Sequence, residues 1–169
     1  MAELFDRFAH HGEDPKIAQL SAVPLFEHVP RRQLAVIAAN LDEAHVETGQ
    51  TLVRENHHND TFWIVLDGAI EVTLAGKARE VVGRGGVVGL PSMFTGRESS
   101  ATVVSLSDLR ALVASHAQFH NFIGDPEVEI RFKAAVFDRH RDDIYQLTHE
   151  PVSAPPPAPA GRRSSARKK

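Results

Sequence analysis

The sequence predicts a mainly β domain, a small antiparallel barrel or jelly roll with helices at both ends. Three observations predict it. Residues 44–104 divide into short β-type runs, HVET, QTLVRE, TFWIVL, AIEVTL, AREVV, GGVVG and SSATVV. Turn signals at Gly49, Asn59-Asp60, Asp67-Gly68, Ala75-Gly76 and Gly83 to Gly86 separate them. In AIEVTL, Ile70, Val72 and Leu74 alternate with Glu71 and Thr73, so one face points in and the other out. On either side of this region the apolar spacing becomes helical, and seven or eight such strands fit a closed or double-sheet β architecture.

Taken in order, residues 1–15 form a polar N-terminal extension in which only Leu4, Phe5 and Phe8 can make a helical turn or dock. From Lys16 to Leu41, Ile17, Leu20, Val23, Leu25, Phe26, Leu34, Ile37 and Leu41 recur at mostly helical spacing, interrupted by Pro24 and Pro30. Two short helices result, with Pro30 in the first turn of the second. The β runs follow. From Ser107 the spacing of DLRALVASHAQF predicts a helix capped by Ser107 or Asp108, and PEVEIRFKAAVFDRHRDDIYQLTHE predicts another, with Pro126 in its first turn. Ile130, Phe137 and Ile144 fall seven apart, a spacing that suits a partner helix in a homodimer; three positions are too few for a coiled coil, so the expectation is packing on the barrel. Residues 148–169 are rich in proline and alanine, then basic, and are expected to be disordered.

At 169 residues the chain holds one core of ordinary size. It has no cysteine, which excludes disulfides and thiolate metal sites and suits a reducing cytoplasm. No apolar run approaches the roughly 20 residues of a membrane-spanning helix, and the acidic N-terminus does not read as a signal peptide. The net charge of −3 conceals an asymmetry: without the five basic groups of the terminal GRRSSARKK, the body stands near −8. Such a surface repels phosphate backbones, so nucleic-acid binding by the folded body is not expected.

The order of helices, strands and helices is that of the cyclic nucleotide-binding domain, and the residues resemble that family over roughly Ile17 to Arg131. LSAVPLFEHVPRRQLAVIAANL is similar to its entry helices, with Leu25 and Phe26 before the second helix. GQTLVRENHHNDTFWIVLDGAIEV resembles its central signature, although Asn56 stands where the family usually has glycine. The resemblance implies an eight-stranded roll over residues 16–147. It also implies a ligand cassette running from a Gly-Glu pair, through a short helix, to an Arg-x-Ala-Thr step. Here the pair falls on Gly89-Leu90, the helix on Pro91 to Phe94 and the step on Ser99-Ser100-Ala101-Thr102. The implied pocket residues are Val88, Gly89, Leu90, Pro91, Ser92, Arg97, Ser99, Ser100, Ala101 and Thr102. The cavity is expected between Val81 and Thr102, covered by the helix after Pro126.

Both charged anchors of that cassette are missing. A cyclic phosphate in a partly desolvated site is normally held by a guanidinium fork and by N–H groups at a helix start. Pro91 removes one such donor. Ser99 offers a neutral hydrogen bond only, a loss of about 1.5–3 kcal/mol. Leu90 cannot accept from a ribose hydroxyl, which costs about another 1–3 kcal/mol. If additive, the losses weaken affinity by roughly two to four powers of ten. Arg97 has the reach to replace the missing guanidinium, but two residues out of register on an extended strand it starts about 6–7 Å from the Ser99 position. The expectation is a solvated loop tip with Glu98.

Other signals lead nowhere chemical. His10-His11 and His57-His58 are adjacent pairs whose rings would diverge on a strand, so no metal site is expected. GRGG at Gly83 to Gly86 is a strand turn, not a phosphate loop, and no hydrolase motif is present. Phe62 and Trp63 are expected to fill the barrel core. The family's closing helices take up residues 109–150, so no output domain is expected. These readings converge on a non-enzymatic, stand-alone, cytoplasmic regulatory module acting on a separate protein partner. Its ligand, cAMP or cGMP, is held weakly or no longer held. The alternative is a protein-interaction scaffold that uses the same fold and the basic tail.

Overall fold

A computed structural model describes residues 14–134 and 136–137. Asp14 caps α1 (Pro15–Ser21) by accepting from the Lys16 backbone N–H at 2.9 Å. A 3₁₀ turn (Pro24–Phe26) and α2 (Arg31–Ala39) follow, with Pro30 at the N-cap of α2. Lys16 Nζ donates to the Leu41 carbonyl at 2.7 Å, tying the start of α1 to the end of α2.

Eight strands follow: β1 (Asp42–Val46), β2 (Thr51–Val53), β3 (Thr61–Asp67), β4 (Ile70–Leu74), β5 (Lys77–Val82), β6 (Val87–Val88), β7 (Thr102–Ser105) and β8 (Leu109–Ser115). They form two four-stranded antiparallel sheets, in the orders β1-β8-β3-β6 and β2-β7-β4-β5. The short helix α3 (Leu90–Thr95) lies between β6 and β7, and α4 (His116–Ile123) follows β8 directly. A last helical segment spans 126–134. The eight-stranded roll with helices at both ends is therefore present. Residues 1–13, Ile144 and the proline-rich tail lie outside the described residues.

Two apolar clusters hold the fold together. Val53, Val65, Ile70, Val82, Val88, Val103, Leu109 and Ala111 pack between the sheets. The larger cluster lies where the helices cover β3 and β8, and includes Leu20, Phe26, Ile37, Phe62, Ile64, Leu112, Phe119, Phe122 and Phe132. β3 serves both. Phe62, Ile64 and Leu66 join the helical side, whereas Val65 and the half-buried Trp63 join the inter-sheet side. Phe62 thus fills the helical core rather than the barrel interior.

One element differs in kind from the sequence-based expectation. DLRALVASHAQF is not one helix: Leu109–Ser115 is strand β8, paired with β1 and β3. A strand covered on both faces must be apolar on both, and Leu109, Ala111, Leu112 and Ala114 then imitate helical spacing. The cap is Ser115. Its hydroxyl accepts from the Gln118 N–H at 3.3 Å while Gln118 Oε1 accepts from the Ser115 N–H at 2.8 Å. Asp108 instead receives the Thr48 N–H and hydroxyl, at 3.1 and 2.9 Å. Ser115→Ala removes half of this capping box and should cost about 0.5–2 kcal/mol. An unchanged urea midpoint would reject the cap.

The segment 126–134 packs through Val128 and Phe132, not through the heptad residues. Ile130 and Phe137 are 67% and 69% exposed. Their expected packing on the barrel is replaced by an apolar surface. Gln33 Nε2 to Asp125 Oδ2 (2.7 Å) and Arg131 Nη1 to the Glu27 carbonyl (2.8 Å) lock the segment against α2 and the turn before it.

Candidate ligand cavity

Between β6 and β7 the chain leaves the β roll to build α3, and that excursion borders a cavity of about 510 Å³. The volume lies within the range of small-molecule sites. Val53, Val72, Leu74, Val88 and Val103 supply an apolar lining from β2, β4, β6 and β7. Gly89, Pro91, Ser92 and Thr95 border it at α3, and Arg97, Glu98, Ser99, Ser100 and Ala101 at the loop that follows.

Gly89 makes the turn into α3. Its φ is +90°, and a Cβ there would fall on the Thr61 carbonyl oxygen, so only glycine lets the chain pass β3 this closely. The buried Asn59 anchors the junction, donating to the Thr61 carbonyl at 2.8 Å and to Ser92 Oγ at 2.9 Å. Ser92 Oγ in turn donates to the Gly89 carbonyl at 3.1 Å.

The loop carrying Ser99 is fastened to the β2–β3 connection. The Asn56 N–H donates to the Ser99 carbonyl at 2.8 Å, and the Ser99 N–H to the His57 carbonyl at 2.9 Å. Asn56 has φ +57°, which explains the departure from glycine: asparagine is among the residues that tolerate this left-handed conformation. The Ser99 hydroxyl donates to the Ala101 carbonyl at 2.9 Å, so it is engaged within its own loop.

Eight of the ten residues expected at the pocket border it: Val88, Gly89, Pro91, Ser92, Arg97, Ser99, Ser100 and Ala101. Leu90 does not. It is 4% exposed and packs in the helical core, so its side chain replaces no ligand contact and instead holds α3 down. Thr102 turns away, its Oγ1 accepting from the Glu55 N–H at 3.0 Å. Arg97 is exposed yet borders the cavity, and is not merely a solvated tip. No described residue of the helix after Pro126 borders it; Val128 and Phe132 of that segment pack in the aromatic core, and the rest of the expected helix lies outside the described residues.

Sequence reasoning missed Arg79 and Glu80, which enter from β5. In the β4–β5 ladder Val72 faces Glu80 but Thr73 faces Ala78, so Arg79 is the extra residue of a β-bulge. A bulge can bring two consecutive side chains to one face, which strict alternation forbids. Among the described residues no group of three His, Asp or Glu is placed to hold a metal, and no helix is long and apolar enough to cross a membrane.

Known proteins share this fold. The family model described as cyclic nucleotide-binding domain matches residues 43–125. A cAMP-bound PfPKA-R structure superposes with a TM-score of 0.70 at 16% identity, covering 79% of this chain and 46% of that one. The catabolite activator protein of Thermus thermophilus does so at 0.66 and 20% identity, over 74% of this chain and 62% of its own. The N-terminal domain of a transcriptional regulator from Streptomyces coelicolor A3(2) is 26% identical, with a TM-score of 0.60, over 74% of this chain and 94% of that domain. This chain thus spans less than two thirds of the first two proteins.

Proposed function

We propose, from the premise that residues 43–125 form a domain of the cyclic nucleotide-binding family, that this chain carries a regulatory module whose grip on cAMP and cGMP is weakened or lost. The observation that carries the reading is Ser99. It borders the cavity at the position where the resemblance calls for a guanidinium, carries no charge, and gives its hydroxyl proton to the Ala101 carbonyl. A phosphate there would meet one neutral donor already engaged. The burial of Leu90 in the helical core narrows the argument, because the apolar cavity wall itself is intact and can still hold a guest.

In this reading the module is not an enzyme. It works in the cytoplasm by contacting a separate protein, and the exposed Ile130 and Phe137 are the surface assigned to that partner or to a second copy of the chain. Should no small molecule bind, the same surface and the basic tail serve a scaffold role.

A melting titration tests the central point. Ligand at 100 times its dissociation constant stabilises a fold by about 2.7 kcal/mol. The expected result is little or no shift with about 1 mM cAMP or cGMP. Ser99→Arg, which restores the charge, should tighten binding by about 10- to 150-fold. Tight binding by the unaltered chain, or no gain from Ser99→Arg in a folded variant, would overturn the reading.

A further inference from the structure

The cavity has a second wall whose charge comes from an element outside the cassette. β5 is the edge strand of its sheet, and β4 separates it from β7, so Arg79 and Ser99 enter the cavity from opposite flanks of β4. The bulge at Val72 and Thr73 sets the consecutive Arg79 and Glu80 on the cavity side. Arg79 is half-buried, with its Nε buried, whereas Arg97 is exposed on a loop. A guanidinium in partly desolvated surroundings attracts an anion more strongly than one in water, and a strand-held side chain gives up less freedom on binding.

We propose that Arg79 is the anion-binding residue of this cavity. Its ligand is a small organic monoanion with an apolar body and an N–H or O–H group that donates to Glu80. The proposal rests on the reading above that the cassette position has lost its charge. The count of charges along the wall argues for a monoanion: Arg79 and Arg97 are balanced by Glu80 and Glu98, so a polyanion would meet as much repulsion as attraction. The apolar body is called for by the five valine and leucine side chains that form the rest of the lining.

The probe is 8-anilinonaphthalene-1-sulfonate, which carries one sulfonate, one N–H and an apolar ring system. Full-length protein is titrated by fluorescence alongside Arg79→Gln and Arg97→Gln, with circular dichroism to verify folding. Saturable binding by the unaltered chain, weakened at least about tenfold by Arg79→Gln and much less by Arg97→Gln, is expected. In the unaltered protein the Arg79 Nε–Hε NMR signal should also shift with the probe, a readout that survives if Arg79→Gln fails to fold. Absence of saturable binding, equal binding by a folded Arg79→Gln, or an Arg79 signal that does not move would each overturn the proposal. A cAMP arm separates the two readings. Tight cAMP binding abolished by Arg79→Gln would remove the weakened-cassette reading and leave Arg79 in place, whereas absent cAMP binding with dye affinity indifferent to Arg79 does the reverse.

Discussion

Phe119→Ala is expected to destabilise the domain by about 3–5 kcal/mol, the usual cost of removing a phenylalanine ring from a closed core. Phe119 is fully buried, and its ring lies 5.2 Å from Phe94, 5.3 Å from Phe122, 5.8 Å from Phe132 and 6.0 Å from Phe62. Those four rings sit on α3, α4, the segment 126–134 and β3. One side chain therefore joins the helical layer to the sheet and to the helix that borders the cavity. The melting temperature should fall by more than about 10 °C. A loss under about 1 kcal/mol in urea would mean that the cluster collapses into the gap and that Phe119 is not its centre. Because Phe94 loses an edge contact, probe binding at the cavity should weaken as well.

The second large effect is at Gly89. Gly89→Ala must place a side chain at φ +90° and against the Thr61 carbonyl, with Asn59 Nδ2 only 3.1 Å away. Left-handed backbone alone costs an L-residue about 1–2 kcal/mol, and the clash with a main-chain atom of β3 brings the expected total to about 3–4 kcal/mol. Gly49→Ala is the control, since Gly49 has φ +83° with no atom within 4 Å of the added Cβ. It should lose only the smaller, conformational part. Equal losses in the two variants, measured by denaturant unfolding, would refute the close approach of α3 to β3 as the reason for Gly89.

Much of the fold is legible in the residues. Asp67-Gly68 ends β3 and Ala75-Gly76 lies between β4 and β5, both at turns as expected, and the alternation in AIEVTL lies on β4. TFWIVL becomes the shared central strand β3, apolar from Phe62 to Leu66 because cores lie on both its faces. The same double burial concealed β8: apolar residues on both faces of a strand and on one face of a helix can have identical spacing. At the cavity, the stretch from Val88 to Ala101 was legible because its elements follow one another along the chain. Leu90 and Thr102 were misplaced because a linear match carries no direction for a side chain.

What the residues determine alone is local: where strands end, where a left-handed glycine or asparagine is required, and that position 99 carries no charge. Position 99 is a matter of composition, so no packing can alter it. What only the tertiary structure decides is which side chains share a space. The slip in register between β4 and β5 turns Arg79 and Glu80 onto the cavity, and the helical core draws Leu90 away from it. Both follow from contacts between segments distant in sequence, where a shift of one residue reverses the face a side chain occupies.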